Sequence, residues 1–294
     1  MKVLVTGSNG QLGFCLLKKL QQKNIHFLAT SRRELDISDL INVNRVINEY
    51  VPDVIINAAA YTSVDKAETD IELAYSVNVD GAKNLAEVGS AIGAVIFHIS
   101  TDYVFNGDSK IAYNEYSAPA PINVYGKTKL LGEQVVSKGN KKHIILRTSW
   151  VFGEHGDNFP KAILRVSRTQ DKLMVVSDQI GGPTYVGDLA DVILNLLLLH
   201  RANALHQWGT YHYCGYPYVS RYEFALEILQ SAASQGVSDI PAVFPVSSFD
   251  YVTVAQRPQN SSLDCGKIYS TWRVNPSNWR SALNDIKGYL EYSE

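Results

Sequence analysis

The sequence predicts a doubly wound, Rossmann-type parallel α/β sheet followed by a smaller C-terminal α/β domain. Two observations predict this fold class. Short, nearly apolar strand patterns alternate with helix patterns over residues 1–150, and a glycine-rich turn joins the first strand pattern to the first helix pattern. Such alternation is typical of parallel sheets, because each crossover helix packs back onto the sheet and covers one of its faces.

The strand patterns are short and nearly all apolar, as expected for strands that are buried on both faces. Five segments fit this description: Lys2–Thr6, His26–Thr30, Asp53–Asn57, Val95–Ser100 and His143–Leu146. Longer segments with helical periodicity lie between them. These predicted helices are Gln11–Lys23, Asp39–Tyr50, Ile71–Ile92 and Val124–Ser137.

After Trp150 the alternation becomes irregular, which indicates a second domain. Helices are predicted over Asn158–Ser167 and Asp188–His200, with a strand near Leu173–Val176. Tyrosines are frequent in residues 211–218. They either pack a small subdomain or form a wall for a flat ligand such as a nucleotide base.

The composition is that of an ordinary globular protein. Its 294 residues are 46% hydrophobic and 19% charged, with a formal net charge of −2. This balance argues against a nucleic-acid binder, because no face could carry a dominant basic field without an offsetting acidic one. No stretch approaches the roughly 20 apolar residues that cross a bilayer, and the chain enters its first strand pattern at Lys2 without a signal peptide. We therefore expect a cytoplasmic protein that binds neither nucleic acid nor membrane.

The cysteines and histidines show no metal-binding pattern. Cys15, Cys214 and Cys265 lie far apart in the chain, so we expect reduced thiols. The seven histidines are scattered, and none forms a ligand spacing such as His-Glu-x-x-His. No metal site is expected, and His98 is interpreted as a core residue of its strand.

Gly7, Gly10 and Gly13 follow a strand pattern and open a helix pattern. Glycines in this context allow a tight turn and a close approach of backbone N–H groups to a pyrophosphate. The N-terminus of the helix adds its positive end. The spacing Gly-x-x-Gly-x-x-Gly is one residue longer at its first gap than the general dinucleotide fingerprint. The turn therefore predicts a dinucleotide site.

The end of the second strand pattern indicates which dinucleotide is favoured. An acid there would bind the ribose 2′-hydroxyl of NAD, whereas an arginine suits a 2′-phosphate. In this chain Arg32 and Arg33 come first, and Glu34 follows. We therefore expect NADPH to be used at least as well as NADH. The alternative is a pair of exposed loop arginines without a ligand.

Tyr125 and Lys129 form a Tyr-x-x-x-Lys pair on a predicted helix, where residues four apart share one face. A free phenol has a pKa of about 10, and a nearby ammonium group favours the phenolate. We therefore predict that Lys129 lowers the pKa of Tyr125 and so adapts this phenol to protonate an alkoxide. The alternative is a surface pair without a chemical role.

Further motif segments lie along the whole chain: Leu35–Ile37, Asn57–Thr62, Val64–Glu68, Ser100–Phe105, Arg147–Trp150, Asp178–Thr184 and Arg257–Ser261. With the glycine turn and the Tyr-x-x-x-Lys pair, they make the chain similar, almost end to end, to the extended short-chain dehydrogenase/reductases. The Ser-Thr-Asp-Tyr-Val-Phe, Asp-Gln-x-Gly-x-Pro-Thr and Arg-Pro-x-Asn-Ser segments narrow the resemblance to the dTDP-4-dehydrorhamnose reductase family.

The resemblance implies a division of the chain and a set of cofactor contacts. Residues 1–150, rejoined by about 186–200, would form the dinucleotide-binding domain, and residues 151–185 and 201–294 the substrate-binding domain. The resemblance implies that the pyrophosphate would be lined by Gly10, Gln11 and Leu12. The adenine side would contact Asp36 and Ile37, and the middle of the cofactor would contact Ala59, Ala60 and Tyr61.

At the reacting end, the resemblance places Thr101 and Asp102 against the sugar, with Trp150 as a further substrate contact. Thr101 takes the place that serine holds in many relatives. Its hydroxyl can donate a hydrogen bond to a keto oxygen while Tyr125 delivers the proton. Lys129 would also hold the hydroxyls of the nicotinamide ribose.

The implied activity is NAD(P)H-dependent reduction of the C4 ketone of dTDP-4-dehydro-β-L-rhamnose to dTDP-β-L-rhamnose. Two alternatives stay open: reduction of another nucleotide 4-keto-6-deoxy sugar, and a non-catalytic, cofactor-binding regulatory subunit. Arg257 would face either the diphosphate of the nucleotide-sugar substrate or an acid in a structural salt bridge. Some relatives carry a magnesium-binding glutamate at a dimer contact, where this chain has Cys15. We therefore carry over neither that metal nor that contact, and a homodimer is left open.

Overall fold

The computed structural model of the protein describes residues 1–238 and 240–290. In its first half, strands and helices alternate in the order β1 (Lys2–Thr6), α1 (Gln11–Gln22), β2 (His26–Thr30), α2 (Leu40–Tyr50), β3 (Val54–Asn57), α3 (Val64–Ala67), α4 (Ile71–Tyr75), a π-helical turn (Ser76–Asp80), α5 (Gly81–Ala91), β4 (Val95–Thr101), a 3-10 turn (Asp102–Val104), α6 (Val124–Gly139) and β5 (His143–Thr148). These bounds confirm the predicted order of elements, and they differ from the predicted ends by a few residues.

The second half contains shorter strands and two long helices. Its elements are β6 (Val151–Phe152), α7 (Phe159–Ser167), β7 (Lys172–Val176), β8 (Ile180–Gly181), β9 (Thr184–Tyr185), α8 (Val186–Arg201), β10 (Gly209–His212), β11 (Val219–Ser220), α9 (Arg221–Ser234), β12 (Ala242–Val246), α10 (Gly266–Trp272), α11 (Trp279–Ala282) and α12 (Lys287–Leu290). Within the described residues, no helix combines the length and the apolar character that crossing a membrane requires.

Six strands form one sheet in the order β10-β5-β4-β3-β1-β2. All five neighbouring pairs in this sheet are parallel. Helices cover both faces, so the predicted Rossmann-type α/β class is confirmed. From β1 the chain crosses to β2 on one side and then to β3 on the other. Such a reversal opens a crevice at the carboxyl ends of β1 and β3, which is where ligands bind in sheets of this kind.

Apolar layers on the two faces hold the helices against the sheet. On one face α1 packs against α8, and Leu16 and Leu189 are fully buried among the strands. On the other face α2 and α5 bury Ile47 and Leu85. Burying one side chain of this size contributes about 1.5–3 kcal/mol. These layers therefore keep the carboxyl ends of the strands in fixed positions.

The later part of the chain has its own apolar cluster, centred on Phe224 of α9. The rings of Phe224 and Trp279 meet edge to face with centroids 5.2 Å apart. Beside them β7 pairs in parallel with β12. This cluster supports one wall of a cavity that is described below.

Strand β10 corrects the predicted assignment of residues 201–294 to the second domain. It pairs in parallel with β5 and forms one edge of the central sheet. Tyr211 and His212 of this strand are buried, and the Tyr211 ring packs on Trp272 with centroids 4.3 Å apart. Sequence patterns miss the strand because its four residues show neither an apolar run nor an alternation. Tyr211 therefore packs at the edge of the central sheet, whereas the prediction placed the aromatic residues of this segment either in a small subdomain or along a flat ligand.

The predicted helix Ile71–Ile92 is interrupted by the π-helical turn Ser76–Asp80. Asn78 in this turn is buried, and its side chain binds both polar groups of the Tyr61 backbone. Its Oδ1 accepts from the Tyr61 N–H at 2.8 Å, and its Nδ2 donates to the Tyr61 carbonyl oxygen at 3.1 Å. Nδ2 also donates to Thr128 Oγ1 at 3.0 Å. The widened turn thus fastens the loop after β3 to α6, in line with the frequent location of π turns near functional sites.

Candidate active site

The turn between β1 and α1 is built from glycines in close contact. Gly7 has a φ of 69°, which favours glycine, and a Cβ on Gly13 would lie 2.3 Å from the Gly7 carbonyl oxygen. A Cβ on Gly10 would meet only that same oxygen, at 3.3 Å, so the backbone there is open on its other sides. Gly10 is the N-cap of α1 and, being glycine, has no side chain that could cap the N–H groups of the helix. The first N–H groups of α1 are therefore available to an anion.

A groove with a volume of about 610 Å³ runs from this turn across the carboxyl ends of the strands. We call it the glycine groove. It is lined by every residue that was predicted to contact the dinucleotide: Gly7, Gly10, Gln11, Leu12, Gly13, Arg32, Asp36, Ile37, Ala59, Ala60, Tyr61, Tyr125 and Lys129. The open backbone at Gly10 and the size of the groove fit NADPH or NADH, and these residues would hold it.

Two asparagines position the loop of residues 58–61 along this groove. Asn57 Oδ1 accepts from the Thr6 hydroxyl at 2.9 Å and from the Ala59 N–H at 3.2 Å. Asn78 binds the backbone of Tyr61 as described above. Neither asparagine was predicted as a site residue. The available signal was Asn57 at the end of an apolar strand, because a buried amide there must have a partner.

At the end of β2, Arg32 is exposed and its Nε lies 3.7 Å from Asp36 Oδ2. Asp36 Oδ1 accepts from the Ser38 hydroxyl at 2.6 Å and from the Ser38 N–H at 3.0 Å. The hydroxyl bond is the largest reason that the pKa of Asp36 is lower than usual. The Asp36 carboxylate is thus engaged by its own loop. The Arg32 guanidinium keeps further donors for a ligand in the groove.

Strand β4 delivers Thr101 to the crevice, opposite Thr148 of β5. The neighbouring Ser100 hydroxyl donates to Glu133, so it is already engaged. The Thr101 hydroxyl donates to Asp102 Oδ1 at 2.9 Å and accepts from the Tyr103 N–H at 3.2 Å. Both adjacent hydroxyls therefore already donate a hydrogen bond within the protein, and Thr101 is the one that lies at the carboxyl end of β4.

The start of α6 places Tyr125 beside this strand end. Asn123 caps the helix, since its Oδ1 accepts from the Gly126 N–H at 2.7 Å, and its Nδ2 donates to the Gln256 carbonyl oxygen at 2.8 Å. A Cβ on Gly126 would lie 2.1 Å from the Tyr103 carbonyl oxygen. Only glycine permits this approach of α6 to the 3-10 turn, and the approach brings Tyr125 to Thr101.

The electrostatic setting of Tyr125 differs from the prediction. Burial raises the pKa of Tyr125 above its usual value, Asp102 and Tyr103 raise it further, and a hydrogen bond with Thr101 opposes the shift. Lys129 Nζ donates to the Ile99 carbonyl oxygen at 2.6 Å. The prediction that Lys129 lowers the pKa of Tyr125 is therefore wrong for the protein alone, because burial dominates. The phenol is protonated at neutral pH, which is the form that a proton donor requires.

Lys129 is itself perturbed by burial, which lowers its pKa to about 8, while Glu133 acts in the opposite direction. The charge of Glu133 is shared with Arg147, whose Nη2 lies 2.6 Å from Oε2 and whose Nε lies 2.8 Å from Oε1. Because Arg147 engages both carboxylate oxygens, Glu133 only partly offsets the burial of Lys129. An ammonium held in this way is available to the hydroxyls or charge of a ligand.

A second cavity, of about 980 Å³, adjoins the glycine groove. We call it the arginine cavity because Arg221 and Arg257 line it. Its apolar walls come from α7 and β7. The predicted substrate contacts Thr101, Asp102 and Trp150 line both cavities, and so does Tyr125. These four side chains mark the place where ligands in the two cavities would meet.

Asp102 and Trp150 have unusual settings at this junction. Asp102 is buried, its Oδ2 has no hydrogen-bond partner among the described residues, and burial raises its pKa to about 6. Trp150, which lies between β5 and β6, has a φ of 48°, in the region that disfavours non-glycine residues. Backbone strain and unpaired polar atoms of this kind concentrate at functional sites.

Arg257 lies in the arginine cavity but outside the glycine groove. Its Nη2 and Nη1 bind Asp65 Oδ2 and Oδ1 at 2.6 and 3.1 Å, so the structural salt bridge is the predicted alternative that the structure shows. Arg221 occupies the same cavity and was not predicted. No sequence signal singles it out, because its setting depends on residues that are distant in the chain.

The described residues contain no group of three or more His, Cys, Asp or Glu side chains arranged to hold a metal ion. Cys15, at the position of the family glutamate, is half-buried. Cys214 and Cys265 are buried free thiols with their Sγ atoms 3.8 Å apart. Burial raises the pKa of Cys15, so this side chain is a thiol at neutral pH.

Comparisons with known proteins agree with this geometry. Residues 1–290 match the family described as RmlD substrate binding domain. The chain is 45% identical over 292 residues to the dTDP-4-dehydrorhamnose reductase of Aggregatibacter actinomycetemcomitans, covering 99% of both chains. It is similar to the crystal structure of a dTDP-4-dehydrorhamnose reductase from Clostridium acetobutylicum, with 38% identity, a TM-score of 0.91, and coverage of 99% of this chain and 100% of that one.

A second solved structure is the dTDP-4-dehydrorhamnose reductase of Bacillus anthracis in complex with NADP. Its identity is 38% and its TM-score 0.89, with 97% of this chain and 98% of that chain covered. These three relatives match over nearly their full length, and all three are dTDP-4-dehydrorhamnose reductases. The predicted resemblance is thereby confirmed, and the chain belongs to the dTDP-4-dehydrorhamnose reductase family.

Proposed function

We propose that this protein reduces the C4 ketone of dTDP-4-dehydro-β-L-rhamnose to dTDP-β-L-rhamnose, with NADPH or NADH as the reductant. The observation that carries this proposal is the junction of the two cavities at Thr101 and Tyr125. A reductase needs a cofactor site and a substrate site that share one set of proton-donating groups. The choice of sugar and nucleotide is supported by the relatives, which are dTDP-4-dehydrorhamnose reductases.

The bound cofactor would supply a hydride to the carbonyl carbon. Negative charge then builds on the carbonyl oxygen, and the Thr101 hydroxyl is placed to donate a hydrogen bond to it. The Tyr125 phenol, which is protonated in the protein alone, gives its proton to this oxygen. Lys129 supplies positive charge from the same face of α6, which favours the resulting phenolate.

The test is to incubate the purified full-length chain with NADPH and a panel of nucleotide keto-sugars, and to follow the absorbance of the reduced nicotinamide. We expect oxidation with dTDP-4-dehydro-β-L-rhamnose and little with sugars that differ at C5 or in the base. Turnover of a different 4-keto-6-deoxy sugar alone would assign the protein to another reductase reaction. Tight NADPH binding without turnover of any sugar would support the regulatory alternative.

A further inference from the structure

Arg221 opens α9, and its side chain lies across an aromatic wall of the arginine cavity. Its guanidinium carbon is 3.6 Å from the centroid of the Trp150 ring and 5.1 Å from that of Phe159. A guanidinium held over ring faces at these distances is attracted by them, and its plane is fixed. Its N–H groups, which point outward in that plane, remain able to bind a ligand.

The two arginines of this cavity differ in how their charge is balanced. Arg257 is paired with Asp65 through two hydrogen bonds, at 2.6 and 3.1 Å. Arg221 forms no salt bridge with any acid in residues 1–238 and 240–290, although Arg280, on a surface helix, pairs with Glu227 at 2.8 Å. Of the two arginines, Arg221 is therefore the one whose charge lacks a direct carboxylate partner.

The surroundings of Arg221 make an unpaired charge costly. Burial lowers the pKa of Arg221, and the positive charge of Arg257 acts in the same direction. Both guanidinium groups interact with the Tyr103 hydroxyl, so they approach each other around one neutral group. A half-buried guanidinium without a carboxylate partner, next to a second arginine, favours an anion beside it.

The position of Arg221 within the cavity indicates which anion this is. On one side the Arg221 guanidinium interacts electrostatically with Asp102, which is next to the reacting hydroxyl of Thr101. On the other side it lies against Phe159, from which the apolar wall continues to Ile163. In a nucleotide sugar the diphosphate joins the sugar to the nucleoside. With the keto-sugar at Thr101 and the base along the apolar wall, the diphosphate falls beside Arg221.

We infer that Arg221 binds the diphosphate of the nucleotide-sugar substrate, and that its stack on Trp150 couples this contact to the placement of the sugar. The inference rests on the proposed function, because the keto-sugar defines which end of the cavity is which. It replaces Arg257, which Asp65 neutralises, as the principal phosphate-binding residue. Arg257 is then a residue that positions the loop around Ala255, whose N–H donates to Asp65 at 3.0 Å.

The test is calorimetric titration of the full-length protein with dTDP and, separately, with thymidine, which lacks the phosphates. For Arg221→Gln we expect about a tenfold weaker affinity for dTDP and an unchanged affinity for thymidine, because one charge-assisted bidentate contact is lost. Arg221→Lys should recover part of the dTDP affinity, since it keeps the charge but not the fork. In turnover assays KM should rise by a similar factor while kcat changes little.

Arg280→Gln is the matched control, because Arg280 also stacks on a tryptophan, Trp279, at 4.9 Å from its ring centroid. It should leave both affinities unchanged. If Arg221→Gln does not fold, Arg221→Lys decides the question by the same comparison. For whichever variant folds, an unchanged dTDP affinity, or an equal loss for dTDP and thymidine, overturns the inference.

These measurements separate the inference from the proposed function, since binding of dTDP needs no turnover. If dTDP binding depends on Arg221 but no keto-sugar is reduced, the proposed function fails and the inference stands. If the keto-sugar is reduced and its KM is the same in the wild type and in the Arg221 variants, the proposed function stands and the inference fails.

Discussion

The rings of Tyr103 and Tyr125 meet edge to face, with centroids 5.7 Å apart and planes inclined by 74°. Such a contact contributes about 0.5–1.5 kcal/mol beyond the burial of area. It depends on the rings and not on the Tyr125 hydroxyl. The position of residue 125 can therefore be preserved while its acidic group is removed, which makes the chemical role of that hydroxyl testable.

Tyr125→Phe should lower kcat by a factor on the order of 10²–10⁴, because the phenolic proton donor is lost while the ring contact is kept. The Kd for NADPH should stay nearly unchanged. Steady-state kinetics and fluorescence titration of NADPH measure the two quantities. Tyr116→Phe, in which the replaced side chain is 87% exposed, is the control and should behave as the wild type. Near-normal turnover in Tyr125→Phe would remove this tyrosine from the mechanism.

Asp102 makes the free energy of unfolding depend on pH. Burial raises its pKa from 3.8 to about 6, so its contribution to stability is fully present below the unfolded value and is lost as the pH rises through the folded value. Asp102→Asn removes the buried charge. At about pH 8 the variant should be more stable than the wild type by roughly 2–3 kcal/mol, and this gain should vanish near pH 4.

Thermal unfolding at several pH values measures this difference. Asp108→Asn, at an exposed acid, is the control and should shift stability little at any pH. A gain for Asp102→Asn that is the same at both ends of the pH range would show that the carboxyl does not titrate as described.

Arg32 and Arg33 offer a matched pair for cofactor choice. Both are exposed, but only Arg32 lines the glycine groove. Arg32→Ala should lower kcat/KM for NADPH about tenfold and change that for NADH little, because a charged contact to the 2′-phosphate is lost. Arg33→Ala should alter neither value. A preference for NADH in the wild type that Arg32→Ala leaves intact would contradict the prediction.

Gly10 and Gly13 should fail in different ways when a methyl group is added. In Gly13→Ala the Cβ would lie 2.3 Å from backbone, so we expect a loss of stability of about 3 kcal/mol or more. Gly10 has a φ of −76°, which alanine tolerates, and its Cβ would face the groove. Gly10→Ala should therefore unfold near the wild-type temperature and bind NADPH more weakly. Equal stability losses in both variants would argue against the two separate roles.

The features that the sequence predicts are those encoded by local spacing. The glycine turn and the Tyr125–Lys129 pair need only a strand or helix around them, and both lie at the crevice. The pKa of Tyr125 was not predictable in the same way, because spacing reports the distance to Lys129 and not the burial of the phenol. Desolvation is the largest influence on the pKa of the buried Tyr125, and the neighbouring Lys129 ammonium donates to the Ile99 carbonyl oxygen instead.

Arg221 and β10 escaped prediction for a related reason. The role of Arg221 follows from its stack on Trp150 and from the pairing of Arg257 with Asp65, and these are contacts between distant parts of the chain. Strand β10 is stabilised by its neighbour β5 rather than by its own residues. Such long-range contacts leave no periodic pattern in the sequence.

The π-helical turn Ser76–Asp80 restricts how this chain can change in length. A π turn accommodates an extra residue within a helix, so deletion of one residue here would restore a regular helical turn in place of the widened one. The Asn78 amide would then leave the Tyr61 backbone, and the middle of the groove would lose its clamp. A more regular helix would thus come with a looser binding loop, and a one-residue deletion within Ser76–Asp80 should weaken the binding of a ligand in the glycine groove.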